Sequence, residues 1–386
     1  MRTLRRLGRF VQKMAVGMRD CDLRFVREMV LGIAMRRDVM LSEIGRALRE
    51  GIAFEKTEER LSRMAGSPHF DDRRLGKNFL LVVGPLTRRL SVIAVDLSDI
   101  QKPYARHMEL LQVVRDGSTG ERGPGYWLFE AVATDAHHHT LPLLTELYST
   151  AERKFESQPQ QVRKYLRMLA PHVWGGALWV LDRGFDGDSY FRILDEFSLR
   201  WVVRQRGDRH VEFGGRKLSV KDLASQLVLK YTTQVQTIRK RRTRQRRVLF
   251  NFLPVHLPDV TDRPLGLVVC RREDLKEPMM LLCAQVPADA REAEEAVLGY
   301  ARRWSAEDSA RGVKQLANVE NIRVLRYVAL QRVVRLAGIA VAWMTVLLLT
   351  AKKTAQVLLD AARWFSPSPH FQLYPLSEGL RETLGV

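Results

Sequence analysis

Apolar residues in the first 78 positions recur at helical spacing, as in Phe25-Val26, Met29-Val30 and Ile33. That periodicity predicts amphipathic helices. Leu41 and Ser42 look like a helix start with Ser42 as N-cap. From residue 79 the rhythm becomes β-like. Phe79–Val83 and Leu90–Val95 predict strands, the second so continuously apolar that both of its faces should be covered. GSTGERGPG (117–125) predicts a turn-rich loop. Tyr126–Thr134 and Thr140–Leu147 predict two more strands, or a strand passing into a helix. A helix over Gln160–Leu169, a short strand at Ala177–Leu181, a helix over 188–197 and a strand at Leu199–Arg204 follow. Strands at Leu227–Thr232, Val248–Pro254, Leu265–Cys270 and Met279–Gln285 then interrupt the alternation. Helix returns from Pro287 to about Ala317 and from Val324 to Phe365, and the proline-marked tail after 366 reads as irregular.

Early strands followed by helix, strand, helix and strand are the order of a ribonuclease-H-like mixed sheet, in the α/β (α+β) class. Residues 1–78 then form a helical N-terminal region and 79–206 the first part of the core. Residues 207–285 form a β-rich insertion, 286–323 a core helix, and 324–386 a C-terminal helical region.

Charge narrows the choice of partner. The 386 residues carry 63 Lys and Arg against 44 Asp and Glu, a formal charge of +19. A polyanion should therefore bind, nucleic acid before an anionic membrane surface. Arginines at 2, 5, 6, 9, 36, 37, 73 and 74 tilt the N-terminal helices toward DNA contact, and LSEIGRALRE (41–50) is similar to the first helix of a helix-turn-helix. An ordinary amphipathic bundle is the plainer alternative. Cys21, Cys270 and Cys283 are too few and too scattered for a disulfide framework or a zinc site, and read as reduced core thiols. Arg2, Arg5, Arg6 and Arg9 precede no apolar targeting segment, so a cytoplasmic, nucleoid-associated protein is expected. The uncharged run Leu336–Ala351, at 16 residues, falls short of the ~20 that span a bilayer and suits a buried helix.

The densest chemistry lies in YARRWSAEDSARGVKQ (300–315). At about 100° per residue, Tyr300, Arg303, Glu307, Arg311 and Lys314 share an arc of roughly 80° on one helix face. Such a stripe either meets something charged or is a solvated face with ion pairs such as Glu307–Arg311. Asp96 ends the buried strand Leu90–Val95, and Asp182 ends Ala177–Leu181. A carboxylate at the end of an apolar strand is costly unless it meets a cation or a donor. Two strand-end acids and one helix acid could converge on two magnesium ions, which clamp the attacking and leaving oxygens of a phosphoryl transfer. Asp99 is an alternative to Asp96, and Asp186 or Asp188 to Asp182. Asp308 points about 100° away from the stripe. RKRRTRQRR (239–247) places seven basic residues in nine, either a solvated hairpin tip or a grip on a DNA backbone. Its members are Arg239, Lys240, Arg241, Arg242, Arg244, Arg246 and Arg247. The triplet His137-His138-His139 cannot ligate one ion from a strand and reads as structural or surface. Trp127, Trp174, Trp179 and Trp201 read as core.

The spacing Tyr300-x2-Arg303-x3-Glu307-x6-Lys314 resembles the Y-R-E-K signature of bacterial insertion-sequence transposases of the insertion-sequence-four group. The surroundings of Asp96 (D-x-S) and Asp182 (D-R-G) are similar to the first and second acids of that family's triad. The resemblance covers about residues 85–330. It implies that Asp96, Asp182 and Glu307 ligate the catalytic metals, Mg2+ with Mn2+ able to substitute. It implies further that Tyr300, Arg303 and Lys314, with Arg311 and Trp304 beside them, contact DNA near the cleavage point. A metal-activated water would nick the end of the element, and the freed 3′-hydroxyl would join to target DNA, within a homodimer bridging two double-stranded ends. In relatives the β insertion supplies a tryptophan that stacks on a flipped base. Residues 207–285 hold no Trp here, leaving Tyr231, Phe250, Phe252 or Trp304 as substitutes. A metal-dependent nuclease of the same core, or an inactive DNA-binding relative, is the alternative function.

Overall fold

The computed structural model describes residues 2–117, 119–137, 139–239, 242–362 and 372–385, with backbone alone at 237–239, 242–243 and 304–312. The N-terminal stretch folds into α1 (Arg2–Met14), α2 (Asp20–Arg36), α3 (Leu41–Leu48), α4 (Phe54–Ala65) and α5 (Asp72–Val83). Ser42 lies inside α3, whose N-cap position is Met40. Phe79–Val83, expected as a strand, is the end of α5. Asp71 caps that helix by accepting from the Arg74 amide at 2.9 Å, and Leu75, Phe79, Leu80 and Val83 are buried at helical spacing. A short apolar run is ambiguous by itself, and the upstream cap decides it.

The core sheet follows: β1 (Val92–Gln101), β2 (Gln112–Arg115), β3 (Arg122–Thr134), β4 (Thr140–Tyr148), α6 (Gln158–Leu169), β5 (Leu178–Leu181), α7 (Asp188–Glu196) and β6 (Arg200–Arg204). β3 pairs antiparallel with both β1 and β4, while β5 lies parallel to β1 and β6 parallel to β5. This is the ribonuclease-H-like mixed sheet expected from the strand order. Next come β7 (His210–Phe213), β8 (Arg216–Ser219), α8 (Val220–Gln226), β9 (Tyr231–Arg239), β10 (Arg242–Leu257), β11 (Thr261–Arg272) and β12 (Met279–Cys283). β12 pairs antiparallel with β6, so the β-rich insertion extends the core sheet. β2, β7, β8 and α8 have no counterpart in the sequence reading. Leu227–Leu229, expected as strand, precedes β9 as coil.

The chain closes with α9 (Ala290–Leu316), α10 (Tyr327–Thr350), α11 (Lys352–Ala361) and α12 (Leu373–Leu384). The single helix expected over 324–365 breaks at Ala351, where the backbone is non-helical. α12 occupies part of the tail that read as irregular. α10 is long and apolar enough to span a bilayer, yet it is mostly buried, against β4 and α2. Arg332 and Arg335 on α10 pair with Asp72 at 2.6 and 2.9 Å, and Arg335 also with Glu146 at 2.7 Å, tying α10 to α5 and β4. Cys270 and Cys283 are buried as expected, but Cys21 is exposed, as is Trp174. The side chain of His139 lies 2.8 Å from Asp135, and His138 lies outside the described residues.

The two sheet faces carry separate cores. α9 covers one, where Ala293, Ala296, Val297 and Tyr300 pack on Val92, Ala94, Val132, Leu178, Val180 and Val202. The helical layer, with α10 at its centre, covers the other.

Candidate active site

Strand alternation carries each acid to its place. Val92 and Ala94 face α9, so Asp96, two residues further on, continues the same row. On β5, Leu178 and Val180 face α9, and Asp182 follows them. Val95 registers with Leu181 across these parallel neighbours. The strand expected to stop before Asp96 runs on to Gln101, so Asp96 lies in the middle of β1, just past its last pair with β5, while Asp182 follows the end of β5. The two are neighbours and both half-buried.

Asp182 is held by its own turn. Its Oδ1 accepts from the Gly184 amide at 2.8 Å, and a Cβ at 184 would stand 2.9 Å from that oxygen. The glycine of D-R-G is therefore a steric requirement of the carboxylate's pose. The competing acids are committed elsewhere. Asp99 faces the other core, where its oxygens accept from Gln101 Nε2 at 2.7 Å and the Gly117 amide at 3.2 Å. Asp186 and Asp188 pair with Arg209 at 2.7 and 2.6 Å.

α9 comes unusually close to the sheet at Gly299, where a Cβ would lie 2.3 Å from Leu178 Cδ2. Two further anchors give its direction. Arg302, its pKa lowered by burial, feels Asp135 just beyond the Thr134–Val92 pair. Lys314 Nζ donates to the Asp99 carbonyl, seven residues farther along β1. Tyr300 is fully buried, and Arg303 lies over its ring with the guanidinium carbon 5.3 Å from the centroid. Burial raises the Tyr300 pKa, with Arg303 and Arg204 opposing the rise and Asp182 near enough to add to it. The side chains of Glu307, Trp304 and Arg311 lie outside the described residues.

The sequence reading missed one acid. Glu130 sits directly opposite Asp96 in the β1–β3 ladder and is almost entirely buried. Burial pushes its pKa up to about 8; Asp96 adds to the rise and Lys314 opposes it. The signal was present as a lone carboxylate inside the apolar strand YWLFEAVAT. Among the described residues no three Asp, Glu, His or Cys side chains lie close enough to hold an ion unaided. The donors present are nonetheless all hard oxygens, and a buried carboxylate beside Asp96 has neither oxygen hydrogen-bonded. That is the environment a divalent cation satisfies.

The insertion, which packs against α9, presents basic and aromatic surface. Arg244 and Arg247 are exposed on β10, and Arg246 lies 3.5 Å from Asp274. Arg239, Lys240, Arg241 and Arg242 lie outside the described side chains. Tyr231 is partly exposed, its ring 5.6 Å from Phe250 and 6.2 Å from Phe252. A cavity of about 470 Å3 opens between α9 and the insertion, with Val235, Val248 and Val297 on its walls and Arg204, Arg272 and Lys276 among its lining.

Residues 89–344, more than half of the chain, match the family model described as Transposase DDE domain. No curated protein matches the chain. Among solved structures it is similar to a cryo-EM structure of a piggyBac transposase synaptic complex with hairpin DNA. That similarity has 10% identity and a TM-score of 0.47, covering 100% of this chain and 80% of that one.

Proposed function

Since the chain belongs to the Transposase DDE domain family and is an enzyme acting on DNA, we propose that it cuts the ends of a mobile element and joins them to target DNA, using divalent cations held by Asp96, Asp182 and Glu307. The observation that carries this reading is the side-by-side position of Asp96 and Asp182, each one residue past the last pair of the parallel strands β1 and β5, on the face that α9 covers. Helix geometry supports the third acid. At ~1.5 Å per residue, a straight α9 between Arg302 and Lys314 brings position 307 abreast of Asp96. DDE transposases generally use divalent metal ions. Here the cations would be two Mg2+, with Mn2+ able to substitute, and when bound they supply the Lewis acidity for phosphoryl transfer. The chain's own residues do the holding. Asp182 is posed by Gly184, and Gly299 lets α9 seat closely against β5.

The bases take the DNA. Lys314 and the arginines at 239, 241, 242, 244, 246 and 247, with Lys240, neutralise phosphates of double-stranded DNA, and Arg311 and Trp304 flank the cleavage point. Arg303, backed by Tyr300, orients the strand being cut. Tyr231 is the insertion aromatic best placed to stack on a base, because Phe250 is buried. The spacing of Tyr300, Arg303, Glu307 and Lys314 supports membership of the insertion-sequence-four group, whose resemblance implies a homodimer working on two ends in a bacterial cytoplasm.

The test uses pre-cut element ends and a circular target with Mg2+. Joined product from wild type and none from Asp182→Asn supports the reading. Cleavage of uncut ends without any joining would make the protein a nuclease. Cleavage retained in Glu307→Ala would remove the third acid from the site.

A further inference from the structure

We propose that Glu130 is a fourth carboxylate of this site, giving an oxygen to the same divalent cation that Asp96 holds. The inference rests on the reading of Asp96 as a metal ligand and adds a residue that the Y-R-E-K spacing does not contain.

Its basis is a contrast among buried acids. Asp22 pairs with Arg19 at 2.7 Å, and Glu28 with Arg60 at 2.5 Å. Asp99 accepts from Gln101 and Gly117, Glu146 from Arg335, and Glu378 from Arg381. Among the described residues Glu130 is the buried acid with neither carboxylate oxygen hydrogen-bonded. Glu146, on the next strand, makes the point sharply. It registers with Phe129, so it faces the helical layer, where Arg335 meets it. Glu130 faces the α9 side, where the nearby base Lys314 donates to the Asp99 carbonyl instead.

An unpaired charge in such a place is costly to keep. A cross-strand partner shares the face and stands about 4.5–5.5 Å away at Cβ, within reach of one shared ion. Mg2+ and Mn2+ favour six oxygen ligands, which two aspartates and one helix glutamate fill only in part. A glutamate in the middle of β3, backed by a rigid ladder, adds an oxygen that needs no loop to order.

Mn2+ binding to the full-length protein, followed through the free-ion electron paramagnetic resonance signal, tests this. Wild type, Glu130→Gln and Asp96→Asn are compared at one pH. Both variants should bind Mn2+ at least ~10-fold more weakly. In EDTA, Glu130→Gln should unfold no more easily than wild type, because the buried carboxyl group has no hydrogen-bond partner for the amide to lose. If Asp96→Asn weakens binding and Glu130→Gln leaves it within twofold of wild type, Glu130 is structural and the proposal falls while the reading of Asp96 stands. If both leave it unchanged, the metal reading itself fails. Should Glu130→Gln not fold, anomalous diffraction from Mn2+-soaked wild-type crystals decides. A Glu130 oxygen within about 2.6 Å of an ion supports the proposal, and any longer distance overturns it.

Discussion

Replacing Gly299 by alanine should separate stability from catalysis. The new methyl would stand 2.3 Å from Leu178 Cδ2, with Val180 Cγ1 behind it at 3.8 Å. Carbon atoms rest at about 3.5–4.0 Å, so something must move by roughly 1.2 Å or more. Leu178 is buried in the core beneath α9 and has little room to yield. Overpacking of this kind costs about 1–3 kcal/mol. Glycine to alanine inside a helix returns about 1 kcal/mol. The net loss should be about 0–2 kcal/mol, read as a modest fall in the urea midpoint. Activity should suffer far more. Lifting α9 by about 1 Å displaces the acid eight residues on, and a misplacement of that size costs roughly 100-fold. The assay is the single-turnover rate of Mg2+-dependent nicking at an element end, beside urea unfolding of the same preparation. Leu178→Val removes the opposing carbon at a cost of about 1 kcal/mol, and combined with Gly299→Ala it should restore most of the rate. Wild-type nicking by the single variant, or no recovery in the double one, would refute the role given to this contact.

Asp96→Asn and Asp182→Asn should each lower nicking by well over the ~100-fold that supporting residues of metal sites cost. Binding to end DNA, measured by gel shift in EDTA, should stay within a few-fold of wild type. Arg335→Met should destabilise the fold by about 3 kcal/mol, because Glu146 is then left buried without its ion pair; a denaturant midpoint equal to wild type would show that pair to be dispensable. Replacing Arg244, Arg246 and Arg247 together by alanine should weaken binding to all DNA sequences alike. The plot of log affinity against log salt should become shallower by about 2–3. A loss confined to one sequence would mean that these side chains read bases.

Local pattern alone determined a good deal here. Strands buried on both faces announce themselves as continuous apolar runs, which is why β1, β3, β4 and β5 were legible, together with Asp182 at the end of β5. β1 runs past Asp96 to Gln101 because β3 goes on pairing with it there, which no apolar run signals. A polar stripe on a helix is visible at 100° per residue, so α9 stood out before any fold was known. Phe79–Val83 misled because five apolar residues suit either state, and the Asp71 cap that decides the matter lies eight residues upstream. The helix expected over 324–365 broke at Ala351, and Trp174 reached solvent, because packing partners distant in sequence set both outcomes.

Tertiary structure alone decided how the acids sort. Asp99, Glu146 and Glu130 are all carboxylates in or beside apolar strands, and nothing local tells them apart. Which face each occupies depends on strand register, and what each meets depends on elements far away in sequence. Asp99 finds a loop amide, Glu146 finds Arg335 on α10, and Glu130 is left across the ladder from Asp96. The energy of a buried charge lies in its partner, and partners are brought by the fold.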